Sequence, residues 1–239
     1  MRYLLPPAAL FLLFLLTSCY SARPYSEPVR QQTYGSTEEP PITESLFTDK
    51  DATISEENIR KILDGTYSLA QDLRVSIVKI EDVRKRNRYY WADEDYLKAQ
   101  QAYLDLFTAY LDQSERVSRV SAIPDLLLSS NPTFTNIREA AVRSQSDVVV
   151  IYTITGDVYS NYRLFNKNEI KAFATTQLVV LDVRTGLIPF TTIVTRDFQS
   201  VKREGELNDT EALDRIKNEA VLLTIEQIGR ELEGFLREN

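Results

Sequence analysis

Histidine is absent from the 239 residues, and Cys19 is the only thiol. Without an imidazole the chain lacks the commonest general base, the commonest metal ligand and every His-dependent triad. Zinc would have to be held by carboxylates alone, an uncommon ligand set. The chain has no Gly-rich phosphate loop, no G-x-S-x-G elbow and no EF-hand loop. The acidic run Asp93-Glu94-Asp95 could be taken for a cation site. It fits better as the first turn of a helix, where carboxylates complement the macrodipole. Asp, Glu, Lys and Ser are plentiful, yet no spacing among them points to a reaction. The expectation is a protein that is not an enzyme and holds neither metal nor cofactor.

The single thiol has a clear setting. Met1-Arg2 supplies a minimal positive start, and residues 3–16 run without a charge. That stretch falls short of the roughly 20 apolar residues that span a bilayer. A charged start, a short apolar stretch and small residues behind it form a secretory signal. Leu16-Thr17-Ser18-Cys19 then resembles the lipobox of bacterial lipoproteins. The resemblance implies cleavage before Cys19, acyl chains on its thiol and new amine, and attachment to a membrane through them. The alternative is an ordinary signal peptide with an incidental cysteine, against which the lack of any second cysteine weighs. Two or three acyl chains anchor stably where one is marginal, at about 0.8 kcal/mol per buried CH₂.

Of the 28 Lys+Arg only Arg2 lies in residues 1–18, so the chain from Cys19 carries 27 against 35 Asp+Glu, a formal −8. An acidic surface repels phosphate backbones, which excludes nucleic acid as the expected partner. It also argues against electrostatic docking on anionic headgroups and leaves membrane attachment to the lipid. Residues 19–50 hold four of the nine prolines (Pro24, Pro28, Pro40, Pro41) among Ser, Thr, Gln and Glu. Such a segment cannot bury enough surface to offset its ordering entropy and reads as a tether. About 30 residues reach roughly 30 Å r.m.s. and about 100 Å extended. Residues 51–239 are enough for one domain. With no disulfide available, that domain is expected to fold alone as a monomer insensitive to reductant.

The elements that could position a site follow from apolar period and turn chemistry. Thr53-Ile54-Ser55-Glu56 fits a capping box, with Ile59, Ile62 and Leu63 as the stripe of a short helix ending at Gly65. Residues 73–81 read as a strand with Val75, Ile77 and Lys79 on one face. A basic, aromatic loop follows at 82–91. Tyr96-Leu97, Tyr103-Leu104 and Tyr110-Leu111 recur every seven residues, a helix laid on a sheet or, as the alternative, a coiled-coil seam. Val117, Val120 and Ile123 suggest a short strand closed by Pro124, and Ile137–Val142 a short helix. Residues 147–156 are a buried β-branched strand, with continuation to Phe165 allowed. Turns at 166–168 and 183–186 separate it from strands at 170–182 and 188–198. A long amphipathic helix closes the chain from Asp209 to Glu238. The expected fold is α/β (α+β): one mixed sheet with a three-strand antiparallel meander, flanked by helices.

Three stretches carry a family resemblance. They are Arg74-Val75-Ser76-Ile77-Val78 as first strand, the helix-into-strand step from Ala140 to Val150, and the hairpin phrase Leu178 to Gly186. Together they resemble the envelope α/β domain shared by curli-secretion-channel lipoproteins, the amino-terminal domain of TolB and lipoprotein activators of penicillin-binding proteins. The resemblance covers about two thirds of residues 70–235 and implies fold more than function. Channel members carry membrane-crossing hairpins with arms of roughly 9–11 alternating residues. The one candidate here is Asp157–Thr176, in which Val158, Ser160, Tyr162 and Leu164 alternate while Lys171–Thr176 is barely apolar.

The functional expectation is a non-catalytic envelope lipoprotein that docks on another envelope protein from a flexible tether. The alternative is a structural subunit of an envelope secretion or assembly complex of the curli-channel kind. Candidate docking residues are Arg84, Arg88, Tyr89 and Trp91 in the basic loop, and Tyr159, Tyr162, Arg163 and Phe165 at the hairpin tip. Arg, Tyr, Phe and Trp are favoured at interface hot spots, although Trp91 could equally be buried against the helix after it. Tyr20 after the lipid site is not the aspartate of an inner-membrane retention signal, which places the protein in the outer membrane facing the periplasm.

Overall fold

The computed structural model describes residues 55–81, 94–130, 132–161 and 169–238. In chain order these form α1 (Glu56–Asp64), β1 (Leu73–Lys79), α2 (Glu94–Leu111), β2 (Val117–Ala122), a 3₁₀ turn (Asp125–Leu127), α3 (Phe134–Arg143), β3 (Val148–Asn161), β4 (Glu169–Asp182), β5 (Phe190–Val201) and α4 (Asp209–Glu238). The strands make one mixed sheet in the order β2-β1-β3-β4-β5. β1 runs parallel to β2 and β3, and β3-β4-β5 is the expected antiparallel meander. The single mixed sheet and the long closing helix are those expected from the sequence.

Helices cover the sheet on both sides because the two parallel crossovers travel in opposite directions across it. Crossovers of one hand must then pass on opposite faces. α2, between β1 and β2, packs with α4 on one side, where Tyr103, Phe107 and Leu111 join Ile216, Ala220, Ile225, Ile228 and Leu232. α3, between β2 and β3, packs on the other side, where Ile137, Ala140 and Ala141 meet Val78, Val149, Ile151 and Leu181. β1 is therefore buried on both faces. The heptad tyrosines belong to this packing and not to a coiled-coil seam. Tyr103 is buried and donates its hydroxyl to Asn218 Oδ1 of α4 at 2.6 Å, while Leu97 stays 47% exposed. Gly229, buried in the middle of α4, lets Tyr110 lie against the helix, since a Cβ there would come within 2.2 Å of the ring.

α1 departs from expectation in three ways. Its cap is Ser55, whose hydroxyl accepts from the Asn58 amide at 3.3 Å, two residues after the expected Thr53, which lies outside the described residues. Its stripe is not buried: Ile62 is 41% and Leu63 78% exposed. Gly65 ends it in an extended conformation rather than a left-handed cap. With Glu56 and Glu57 in the first turn and a Lys61–Glu57 pair at 2.6 Å, α1 stands on local helix terms alone.

The step from α3 into β3 is built by three devices. Thr133 and Asn136 form a capping box at the start of α3. The helix ends in a Schellman motif, Ser146 N–H to Ala141 O and Gln145 N–H to Val142 O, both 2.9 Å, with Gln145 in the left-handed region at φ 57°. Asp147 then fastens β3 to β1. Its Oδ2 accepts from Arg74 N and Nε at 3.1 and 2.9 Å, and its Oδ1 accepts from Arg74 Nη2 at 2.8 Å.

That clasp makes a pH prediction. The Arg74 guanidinium hydrogen bonds hold the Asp147 carboxyl below the usual carboxylate range. A depressed folded pKa contributes stability that is fully present above the unfolded value, about 3.9, and is lost as pH falls through the folded value. Asp147→Asn should therefore lower stability at neutral pH and lose part of the acid-side decline seen in the parent. Urea melts at pH 7 and pH 3 check this; an equal destabilisation at both would refute it.

The turn between β4 and β5 follows the expected chemistry. Asp182 Oδ1 accepts from the amides of Arg184 and Thr185, both at 2.8 Å, and Gly186 takes φ 76°. The described arms of the hairpin considered as a membrane-crossing element, up to Asn161 and from Glu169, are paired strands of the meander, and residues 162–168 lie outside the described residues. Ala172 and Ala174 are fully buried in the core that α4 shares, and β5 pairs along the whole of that arm.

Candidate functional site

Along β4 alternate side chains divide between two environments, as the two-residue period of a strand requires. Ile170, Ala172, Ala174, Leu178 and Val180 enter the core with α4. Lys171, Phe173, Thr175 and Gln177 point to the opposite side, where α3 covers only the end near Ile151, Leu181 and Val183. Beyond α3 the register lays out rungs across β3, β4 and β5: Thr153–Gln177–Ile193, Thr155–Thr175–Thr195, Asp157–Phe173–Asp197 and Tyr159–Lys171–Gln199.

This open face is organised by its own cross-strand contacts. Thr175 and Thr195 share a hydroxyl hydrogen bond at 2.8 Å. Lys171 Nζ lies 3.1 Å from Asp197 Oδ2. The Tyr159 and Phe173 rings stack at 5.8 Å with 21° between planes. Such pairs contribute about 0.2–1 kcal/mol each. Apolar surface remains out in the solvent, with Ile193 69% and Tyr159 58% exposed. Asp157, by contrast, is buried, and its Oδ1 accepts the Val158 amide at 2.8 Å. A sheet face with a stacked aromatic pair, an ion pair and an exposed isoleucine is suited to binding, since aromatics buried at an interface dominate its energetics.

A second polar cluster closes the carboxyl end of β1. Lys79 pairs with Glu81, donates to Gln100 Oε1 at 2.8 Å, and lies 5.9 and 5.8 Å from the Tyr96 and Tyr103 ring centroids. Tyr96 donates to Glu81 Oε2 at 2.5 Å. Burial, and then the Glu81 charge, push the Tyr152 hydroxyl above its ordinary range. The ammonium and carboxylate are each satisfied by neighbours, so the cluster anchors the chain where it leaves β1 toward the basic loop.

Of the residues singled out by sequence, Tyr159 is the one this face contains. Cys19, Arg84, Arg88, Tyr89, Trp91, Tyr162, Arg163 and Phe165 lie outside the described residues. Phe173, Thr175, Gln177 and Ile193 were missed. Their signal was present in Ala172 and Ala174, small residues at alternate positions that mark a closely packed helix on one face and leave Phe173 on the other. Among the described residues no group of three or more Asp, Glu or Cys is placed to hold a metal, and no helix is long and apolar enough to cross a membrane.

No protein-family model matches the chain, and no curated protein matches it. Solved structures similar to it at low identity include the hypothetical protein CT253 of Chlamydia trachomatis, 12% identical over 71% of this chain and 100% of that one, TM-score 0.38. A homologue of a neuraminyllactose-binding hemagglutinin from Helicobacter pylori is 12% identical over 72% of this chain and 95% of its own, TM-score 0.41. Lipoprotein GNA1162 of Neisseria meningitidis is 13% identical over 66% of this chain and 99% of its own, TM-score 0.33.

Proposed function

We propose that this chain is a non-catalytic envelope lipoprotein, anchored through Cys19 and docking on another envelope protein through the open face of its meander. The anchored protein sits in the outer membrane and faces the periplasm, with residues 19–50 as the tether. The observation that carries the docking role is the asymmetry of the meander. One side packs against α4 along β4, while the other carries exposed Tyr159 stacked on Phe173 and, two rungs from that stack, exposed Ile193. The likeness to curli-channel, TolB and penicillin-binding-protein-activator domains, drawn from sequence alone, supports an envelope setting in the same sense.

The test uses the tagged, membrane-anchored chain with two substitutions on β3 and β4, Tyr159→Ala and Gln177→Arg. Tyr159 is exposed and Gln177 lies on the open face, so the fold should persist. An envelope protein captured by the parent should be captured at least tenfold less by this variant, about 1.4 kcal/mol of binding. Undiminished capture by a folded double variant would remove the face from the docking role.

A further inference from the structure

The sheet ends in two unlike edges. β2 is six residues long and its pairing with β1 is broken by a register shift at Leu73–Arg74. Short, irregular edges resist pairing with other chains. β5 is twelve residues long and pairs with β4 without interruption from Phe190 to Val201. Among the described residues it has β4 on one side and no strand on the other. It contains neither proline nor lysine. A long, regular edge of this kind is a template for strand addition.

We infer that β5 pairs antiparallel with β5 of a second copy of this chain, about a two-fold axis at Val194. Two-fold symmetry normal to the sheet keeps each residue on its own face, so only residues of like parity can oppose one another. With Val194 on the axis, Phe190 opposes Phe198, Thr192 opposes Arg196, Ile193 opposes Thr195, and Thr191 opposes Asp197. On the helix side the pairing brings a guanidinium to a carboxylate that Arg196 and Arg230 of its own chain already face. Thr192 donates to Glu231 Oε2 at 2.6 Å, so Arg196 of the second copy arrives at the Glu231 carboxylate, once on each side of the axis. Phe190, already packed on Phe235 at 5.0 Å between centroids, gains Phe198 of the second copy. Neighbouring registers are worse. An axis at Thr195 sets Ile193 against Asp197 and Arg196 against Val194, and an axis at Arg196 sets the two guanidinium groups against each other.

This pairing leaves Tyr159 and Gln177 on β3 and β4 uncovered, so the capture test of the docking reading stays separate from it, and it departs from the monomer expected from the sequence. Directly opposed residues in an antiparallel ladder have Cα atoms about 4.5–5.5 Å apart, within the span of about 4.4–6.8 Å that a disulfide bridges. The full, membrane-anchored chain carrying Ile193→Cys and Thr195→Cys should therefore give a reductant-sensitive band at twice the chain mass on mild oxidation. Either single variant, and the parent with Cys19 alone, should not. Arg196→Glu added to the cysteine pair should reduce that band at least tenfold, and Arg196→Glu with Glu231→Arg should restore it. Light scattering of the detergent-extracted parent should give a protein mass of two chains. A one-chain mass, a closed ring of more copies, cross-linking by Thr195→Cys alone, or a different protein trapped on the cysteines would each overturn the proposal.

Discussion

Replacing Cys19 by alanine should remove labelled palmitate from the protein completely and leave it as a soluble product or as a precursor that keeps residues 1–18. The effect is all-or-none because nothing else in the chain can take over. Cys19 is the only cysteine, so no second thiol can be acylated. The chain from Cys19 carries a formal −8, which repels anionic headgroups and offers no electrostatic substitute. No described helix could serve as a membrane span. Each acyl CH₂ contributes about 0.8 kcal/mol, so two or three chains exceed any anchoring a surface residue could provide. Cell fractionation with metabolic palmitate labelling is the measurement. Label entering the alanine variant as strongly as the parent would end the lipoprotein reading. The folded domain itself should be unaffected, since its core is drawn from residues 69–236.

The legible parts of this fold are those governed by local terms. Asp182, Thr185 and Gly186 specify their turn through hydrogen bonds and a positive φ within five residues, and the structure has that turn. The seven-residue repeat of α2 and the long apolar period of α4 identify helices for the same reason. α1 shows the limit. Its stripe of Ile59, Ile62 and Leu63 has the right period, yet burial depends on a facing surface that no local pattern encodes. Asp147 could be read only as the start of a strand, because its partner Arg74 is 73 residues away. The open face was hidden by the same cause. Residue type pointed to Tyr159, but Phe173 becomes its neighbour, and Ile193 joins the same face, only once the pairing of β3, β4 and β5 is known. Strand order, which makes β5 an edge, is likewise a long-range property.

Truncating Phe107 to alanine should cost the domain about 3–5 kcal/mol, the range for removing a fully buried aromatic with incomplete collapse around it. Phe107 is 0% exposed, and its ring lies 4.8 Å from that of Tyr152 on β3, so it ties α2 to the centre of the sheet. Total stability of a single domain is about 5–15 kcal/mol, so the loss removes about a fifth of it or more. At about 2–4 °C per kcal/mol for a domain of this size, the melting temperature should fall by about 6–20 °C. Leu97→Ala, on the same helix and in the same heptad series, is the contrasting case. Leu97 is 47% exposed, and exposed positions of this kind change stability by about 0.5 kcal/mol or less. If the repeat served a coiled-coil seam, its leucines would matter at least as much as Phe107. If it serves packing on the sheet, the two variants should differ by several-fold in cost. Thermal melts of both variants followed by circular dichroism decide between these outcomes, and equal losses would place the weight of α2 on its outer face.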